Sequence, residues 1–163
     1  MRCGLLGRKL GHSYSPQIHG MLGSYDYELF EREPQELEAF LKSEDFQGLN
    51  VTIPYKKAVI PFLDYISPEA EVIGAVNLII KKDGKLYGYN TDFYGLKALI
   101  ERQNVSLRGK SVAILGSGGT SNTAFAVANS MGAIEILRVS RESKDGYITY
   151  NELYDKHSDI DVL

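Results

Sequence analysis

Short apolar runs alternate along the chain with segments whose apolar residues recur at helical spacing. Cys3 to Leu6 is followed by a helix from Pro16, Tyr25 to Phe30 by a helix around Glu36 to Lys42, and Gly48 to Thr52 by helical turns from Tyr55. Strand alternating with helix predicts an α/β fold with a largely parallel sheet. Ser15-Pro16 reads as a helix start, the serine hydroxyl capping free N–H groups and the proline preset for the first turn; Ile18, Met21 and Leu22 then supply a buried stripe. Val76 to Ile80 and Lys85 to Tyr89 flank Asp83-Gly84, a dipeptide that accepts the positive φ angles of a tight hairpin. An antiparallel pair is therefore expected to interrupt the parallel pattern.

Phe93, Leu96, Leu99 and Ile100 mark a helix over Thr91 to Glu101, and the polar stretch Arg102 to Lys110 places a domain boundary near residue 105. Beyond it, Ser111 to Leu115 reads as a buried strand, Thr120 to Met131 as a helix, Ala133 to Val139 as a second strand and Tyr150 to His157 as a second helix. Asp159 to Leu163 looks like the start of another strand. The pattern thus divides into residues 1–105 and the opening of a new βαβ unit over 106–163.

A chain of 163 residues, 44% hydrophobic and 24% charged, is long enough for a real core and unlike a disordered or fibrous sequence. Eighteen basic against twenty-one acidic side chains give 18 − 21 = −3, with no long block of either sign, which argues against nucleic acid or an anionic membrane and for a small-molecule partner. Cys3 is the single cysteine and has no Cys/His cluster around it, so neither a disulfide scaffold nor a metal site is expected. No apolar run reaches the ~20 residues needed to span a bilayer, and a cytoplasmic location is expected.

The strongest generic signal is Gly116-Ser117-Gly118-Gly119-Thr120-Ser121, between a predicted strand and a predicted helix. A dinucleotide pyrophosphate needs close approach to backbone N–H groups at a helix N-terminus, where Cβ atoms would obstruct it. Gly116 and Gly118 fill the first two fingerprint positions, and Ser121 stands where the third glycine would be. A tight strand-to-helix turn is the alternative. At the end of the next strand, where an acidic residue would favour NAD, stands Ser140-Arg141. Arginine offers a fixed fork of donors to a ribose phosphate, so NADP is the expected cofactor. In the first part, Ser13, Ser15, Asn50, Thr52, Lys56, Asn77 and Asp92 sit near predicted strand ends, where open α/β sheets bind ligands. Each alone is more readily a cap or turn residue; the set together points to one crevice.

With these residues in view, the chain resembles the shikimate dehydrogenase family. Gly11-His12-Ser13-Tyr14-Ser15-Pro16 is similar to its carboxylate-binding loop, and Asn50-Val51-Thr52-Ile53-Pro54-Tyr55-Lys56 to its catalytic-lysine segment. Gly74-Ala75-Val76-Asn77 and Gly88-Tyr89-Asn90-Thr91-Asp92 are similar to two further substrate-site motifs. The resemblance implies a three-layer αβα substrate domain with a mainly parallel sheet, followed by the first part of a Rossmann-type NADP-binding domain. It further implies NADP-dependent interconversion of 3-dehydroshikimate and shikimate, a step towards chorismate and the aromatic amino acids. By motif position, Ser13 and Ser15 would hold the carboxylate, Thr52, Asn77 and Asp92 the ring hydroxyls, and Lys56 with Asp92 would form the catalytic pair. Gly116, Ser117, Gly118, Gly119, Thr120, Ser140 and Arg141 would hold the cofactor.

Reducing a ketone needs a hydride on carbon and a proton on oxygen, and Lys56 is the expected proton carrier, with Lys57 beside it as a decoy. Oxidation of shikimate is then expected to speed up as pH rises while reduction does not. Two departures from the family pattern are Leu78, where a hydroxyl residue is common, and Ser140 in place of asparagine. Too few residues follow Gly116 for a whole dinucleotide domain, so the expectation is a fragment of a longer protein, with weak NADP binding and little activity alone. Quinate/shikimate dehydrogenase and a non-catalytic module for a shikimate-like acid stay open, as does a homodimer.

Overall fold

The computed structural model describes residues 1–43 and 45–163. The chain forms two compact units, Met1–Thr91 and Asp92–Leu163.

In the first unit, β1 (Arg2–Gly7), β2 (Asp26–Glu31) and β3 (Gly48–Val51) are parallel, with β1 in the middle. β5 (Leu78–Lys82) runs antiparallel to β3, β6 (Lys85–Tyr89) antiparallel to β5, and the short β4 (Tyr65–Ile66) closes the order β2-β1-β3-β5-β6-β4. The expected hairpin is present: Asp83 and Gly84 take φ of 52° and 75°, as a two-residue turn between twisted strands requires. Leu6, Phe30, Leu49, Val51 and Ile79 lie on one face, against Leu37, Phe40 and Leu41 of α2 (Leu37–Ser43) and Tyr55 of α3 (Tyr55–Ala58). Here two neighbouring strands approach too closely for a side chain at Gly4, whose Cβ would fall 2.4 Å from the Glu28 carbonyl oxygen and from the Phe30 ring. The helix α4 (Pro68–Ile73), which the hydrophobic pattern leaves out, starts on the Ser67 cap and stops at Gly74 in the left-handed region.

Helix α1 (Ser15–Leu22) begins where Ser15-Pro16 predicts, but its details differ. Its N-cap is Tyr14 with no side-chain bond, and the Ser15 N–H instead donates to Ser13 Oγ at 3.2 Å. The expected apolar stripe is not buried: Ile18, Met21 and Leu22 are 53%, 88% and 72% exposed. The helix is attached through His19, whose ring stacks on Tyr27 of β2 at 3.8 Å. An aromatic contact from a polar residue thus replaces the aliphatic face that periodicity alone suggests.

The second unit starts with α5 (Thr91–Arg102), apart from its first residue, and continues through β7 (Ser111–Leu115), α6 (Gly119–Ser130), β8 (Glu135–Ser140), the two-residue β9 (Ile148–Thr149) and α7 (Tyr150–Lys156). The division falls ahead of the polar stretch at residue 105 because Ile100 packs with Leu107, Val112 and Ala128, and this apolar burial draws α5 into the second unit. β7, β8 and β9 are parallel. The expected last strand is reduced to one bridge, Val162 to Val112, on the opposite edge of β7. The chain therefore pairs on one side of β7 and then on the other, the topological reversal at which α/β sheets open a crevice. Among the described residues no helix is long and apolar enough to cross a membrane, and no group of three His, Cys, Asp or Glu could hold a metal.

Candidate active site

The loop after β1 is fastened before it reaches the helix. The Leu10 N–H donates to Glu31 Oε1 at 2.5 Å, and the Ser13 N–H to the Leu10 carbonyl at 2.9 Å. At the end of β3, the Thr52 N–H continues the ladder to the Leu6 carbonyl, and the Thr52 carbonyl accepts from Tyr55 N–H, both at 2.9 Å. Ser13 and Thr52 consequently line one open pocket of about 640 Å³ with Leu10, His12 and Glu31. Ile53–Pro54 is a cis peptide, and the chain turns directly into α3. Tyr55 is buried, its hydroxyl donating to the Arg32 carbonyl at 2.5 Å, and burial raises its pKa. Lys56 is half-buried and its carbonyl accepts from Val76 N–H at 2.7 Å, beside Asn77, whereas Lys57 is exposed. Lys56 is thus the more buried of the two lysines.

Asn77 is buried, and its Oδ1 accepts from both the backbone N–H and the hydroxyl of Thr91, at 2.8 and 3.2 Å. Its amide NH₂ is what it can still present to a ligand. Asn90, next to Thr91, is 1% exposed and donates to the Ala75 carbonyl, so it braces the loop that carries Asn77. Asp92 belongs to the second unit, in the first turn of α5, where a carboxylate suits the helix N-terminus.

Asn50 has a partner that motif reading missed. The Tyr27 hydroxyl donates to Asn50 Oδ1 at 2.8 Å. Burial pushes the phenol up to about 12. His19 stacks on this ring and pairs through Nδ1 with the Tyr25 hydroxyl at 2.6 Å. The only sequence signal for Tyr27 was its place in an alternating strand.

In the second unit Gly116 follows β7 with φ 116°, a backbone state that L side chains rarely adopt, and its N–H donates to the Val139 carbonyl. Gly118 is the N-cap of α6, with no side-chain cap and no acidic residue in the first turn. A Cβ added at Gly116, Gly118 or Gly119 would meet nothing within 4 Å, and Ser117 and Thr120 are exposed. The loop therefore offers uncapped N–H groups in open space, as a phosphate requires. Ser121 is buried with an unpartnered Oγ, the consequence of a hydroxyl where close packing favours glycine.

At the end of β8, Arg141 is exposed, but Ser140 is buried and its hydroxyl donates to the Glu142 carbonyl. Ser140 thus shapes the turn that presents Arg141. Sequence reasoning also missed Arg138, whose Nη2 donates to Asn122 Oδ1 at 2.5 Å and to the Tyr147 hydroxyl, joining the first turn of α6 to the segment after β8.

Residues 5–79 match the family described as the shikimate dehydrogenase substrate binding domain. A shikimate dehydrogenase (NADP(+)) of Clostridium perfringens is 42% identical over 157 residues, covering 91% of this chain and 58% of the relative. Among solved structures, shikimate dehydrogenase 1 of Peptoclostridium difficile superposes with a TM-score of 0.78 at 37% identity, over 94% of this chain and 63% of that one. The shikimate 5-dehydrogenase of Thermus thermophilus, solved in complex with NADP(H) and shikimate, gives 0.71 at 31% identity, over 86% and 56%. The chain spans about three fifths of the length of these relatives. It belongs to the shikimate dehydrogenase family, and its first unit carries that family's substrate-binding domain.

Proposed function

We propose that this chain is the substrate-binding part, with the start of the nucleotide-binding part, of an enzyme that reversibly reduces 3-dehydroshikimate to shikimate with NADPH. The observation that carries the reading is that Ser13 and Thr52 line one pocket, in the same unit that holds Ser15, Asn50, Lys56 and Asn77. That unit matches the substrate-binding domain of the family, and relatives carry NADP(+) in their names.

In this reading Ser13 and Ser15 donate to the ligand carboxylate. Thr52 and the Asn77 amide hold ring hydroxyls, with Asp92 assigned by motif position. Lys56 delivers a proton to the carbonyl oxygen in reduction and takes it back in oxidation. NADPH, when bound, supplies the hydride. The open glycine loop at the uncapped start of α6 fits its pyrophosphate, and exposed Arg141 suits the charge of its ribose phosphate. A reducing, cytoplasmic setting agrees with the single free cysteine, Cys3.

Calorimetric titration of the 163-residue chain with shikimate, without cofactor, tests the reading. Saturable binding that disappears in a Ser13→Ala/Ser15→Ala variant is expected. A wild-type chain that shows no saturable heat overturns it.

A further inference from the structure

Arg138 is a half-buried cation near the end of β8. Its Nη2 donates to Asn122 Oδ1 in the first turn of α6 at 2.5 Å, and the same nitrogen donates to the Tyr147 hydroxyl. The guanidinium also lies over two rings, with Cζ 4.3 Å from the centroid of Tyr147 and 5.5 Å from that of Phe125. Its Nε is buried without a partner, and among the described residues no carboxylate pairs with Arg138 or with Arg141. Partial burial of a guanidinium beside an amide, a phenol and rings, with no anion, costs stability that an aliphatic residue on a strand would not cost. What the arginine joins is a turn and a helix start, and both belong to the proposed cofactor site.

Residues 141–147 form the turn that carries Arg141, and both of its ends are tied down. At the start, the buried Ser140 hydroxyl donates to the Glu142 carbonyl. At the end, Gly146 takes φ 72°, the Tyr147 N–H donates to the Lys144 carbonyl at 3.0 Å, and Lys144 Nζ lies 4.0 Å from the centroid of the Tyr147 ring. Ile148 and Thr149 then pair with Val139 and Ser140. Tyr147 is the foot of the turn, and Arg138 holds that foot against Asn122, one turn below the open glycine loop. We propose that Arg138, acting through Tyr147, is a positioning residue for NADP: it locks the turn of Arg141 to α6, so that the arginine for the ribose phosphate and the glycine loop for the pyrophosphate are set in advance for one dinucleotide. The gain is preorganisation, since an arginine on a loose turn gives up the freedom of the turn as well as its own when it binds. Arg141, exposed and without a carboxylate partner among the described residues, keeps its whole fork of donors for the phosphate. NAD has no ribose phosphate and makes no use of that fork, so the clamp acts on the choice between the two cofactors. This inference rests on the reading of the glycine loop and Arg141 as the cofactor site.

Tyr147→Phe removes the hydroxyl that Arg138 holds while keeping the charge of Arg138 and the ring beneath it. NADP and NAD are titrated into the 163-residue chain and into Tyr147→Phe, Arg141→Ala and the double variant, with amide chemical shifts reporting both affinity and folding. The expected result is a loss of NADP affinity of about fivefold in Tyr147→Phe, the size of one hydrogen bond, with NAD changed by less than about twofold. The double variant is expected to bind NADP no worse than Arg141→Ala, since without the arginine there is nothing to position. Three results overturn the inference: unchanged NADP affinity in Tyr147→Phe, equal losses for NADP and NAD, or losses that multiply in the double variant. All three leave the cofactor reading standing. A wild-type chain that does not bind NADP, or binds it no better than NAD, would overturn the reading of the glycine loop or of Arg141 and this inference with it.

Discussion

The two units build their sheets to different completeness. The first surrounds one face of six strands with large buried side chains, among them Phe30, Phe40, Phe46, Leu49 and Tyr55. The second has three strands and, among the described residues, two isolated bridges, and two of its buried clusters are small, Leu107 with Val112 and Ala128, and Ala113 with Val139 and Leu153. Leu96, Leu99, Ile114 and Leu115 there border an apolar pocket of about 600 Å³. The contrast teaches that a ligand loop and a finished core are separable. The glycine loop takes its shape from one strand, one turn and one helix, while the first unit holds its polar groups in place through a buried core and long-range hydrogen bonds.

The largest test of this contrast is in the cores. Phe46 is 1% exposed and stacks near Phe40, so Phe46→Ala is expected to cost the first unit about 3–5 kcal/mol. Leu153→Ala in the second unit is expected near about 2 kcal/mol, the low end for its type, since the partly exposed Leu137, Ile148 and Ile160 around it can close in. Urea denaturation followed by hydrogen exchange of β3 and β7 amides measures both, and equal or reversed costs would break the comparison. A smaller effect sharpens it at the helix starts. Ser67 accepts from Ala70 N–H at the start of α4, and Ser67→Ala is expected to cost about 1 kcal/mol and to loosen only the first unit's amides.

The smallest effect is electrostatic. Lys110 and the N–H and hydroxyl of Ser111 hold the Asp161 carboxyl down to about 2, tying the chain end to the start of β7. A folded-state pKa below the unfolded value means that its contribution is present above about pH 4 and lost as pH falls through about 2. Asp161→Asn should remove that part of the acid sensitivity from the second unit and leave the first unit's unchanged, as read from β7 and β3 amide exchange between pH 5 and pH 2, values bracketing the transition. An unaltered acid profile in β7 would show that the Asp161 contacts contribute nothing there.

Much of this molecule was legible before any coordinates. Alternation of strands and helices, the Asp83-Gly84 hairpin and the strand–glycine loop–helix at Gly116 all depend on neighbours in sequence, and all three appear where expected. Helix α4 was missed although Ser67-Pro68 carries the same start signal as Ser15-Pro16, because six residues are too few for a periodic stripe. Ile18, Met21 and Leu22 were read as buried since periodicity identifies an apolar face without identifying what covers it.

By itself, then, the sequence determined the class of fold, the order of its elements and the motif residues from Ser13 to Arg141, because these rest on local conformation and spacing. Only the tertiary structure decided which of them meet. Tyr27 reaches Asn50 across β1, where Cys3 is small and Gly48 has no side chain, Lys56 is half-buried while Lys57 is exposed, and Ser140 folds onto Glu142 while Arg141 is exposed. Register and burial settle such choices, and both are properties of residues distant in the chain that share a neighbourhood only once the sheet has formed.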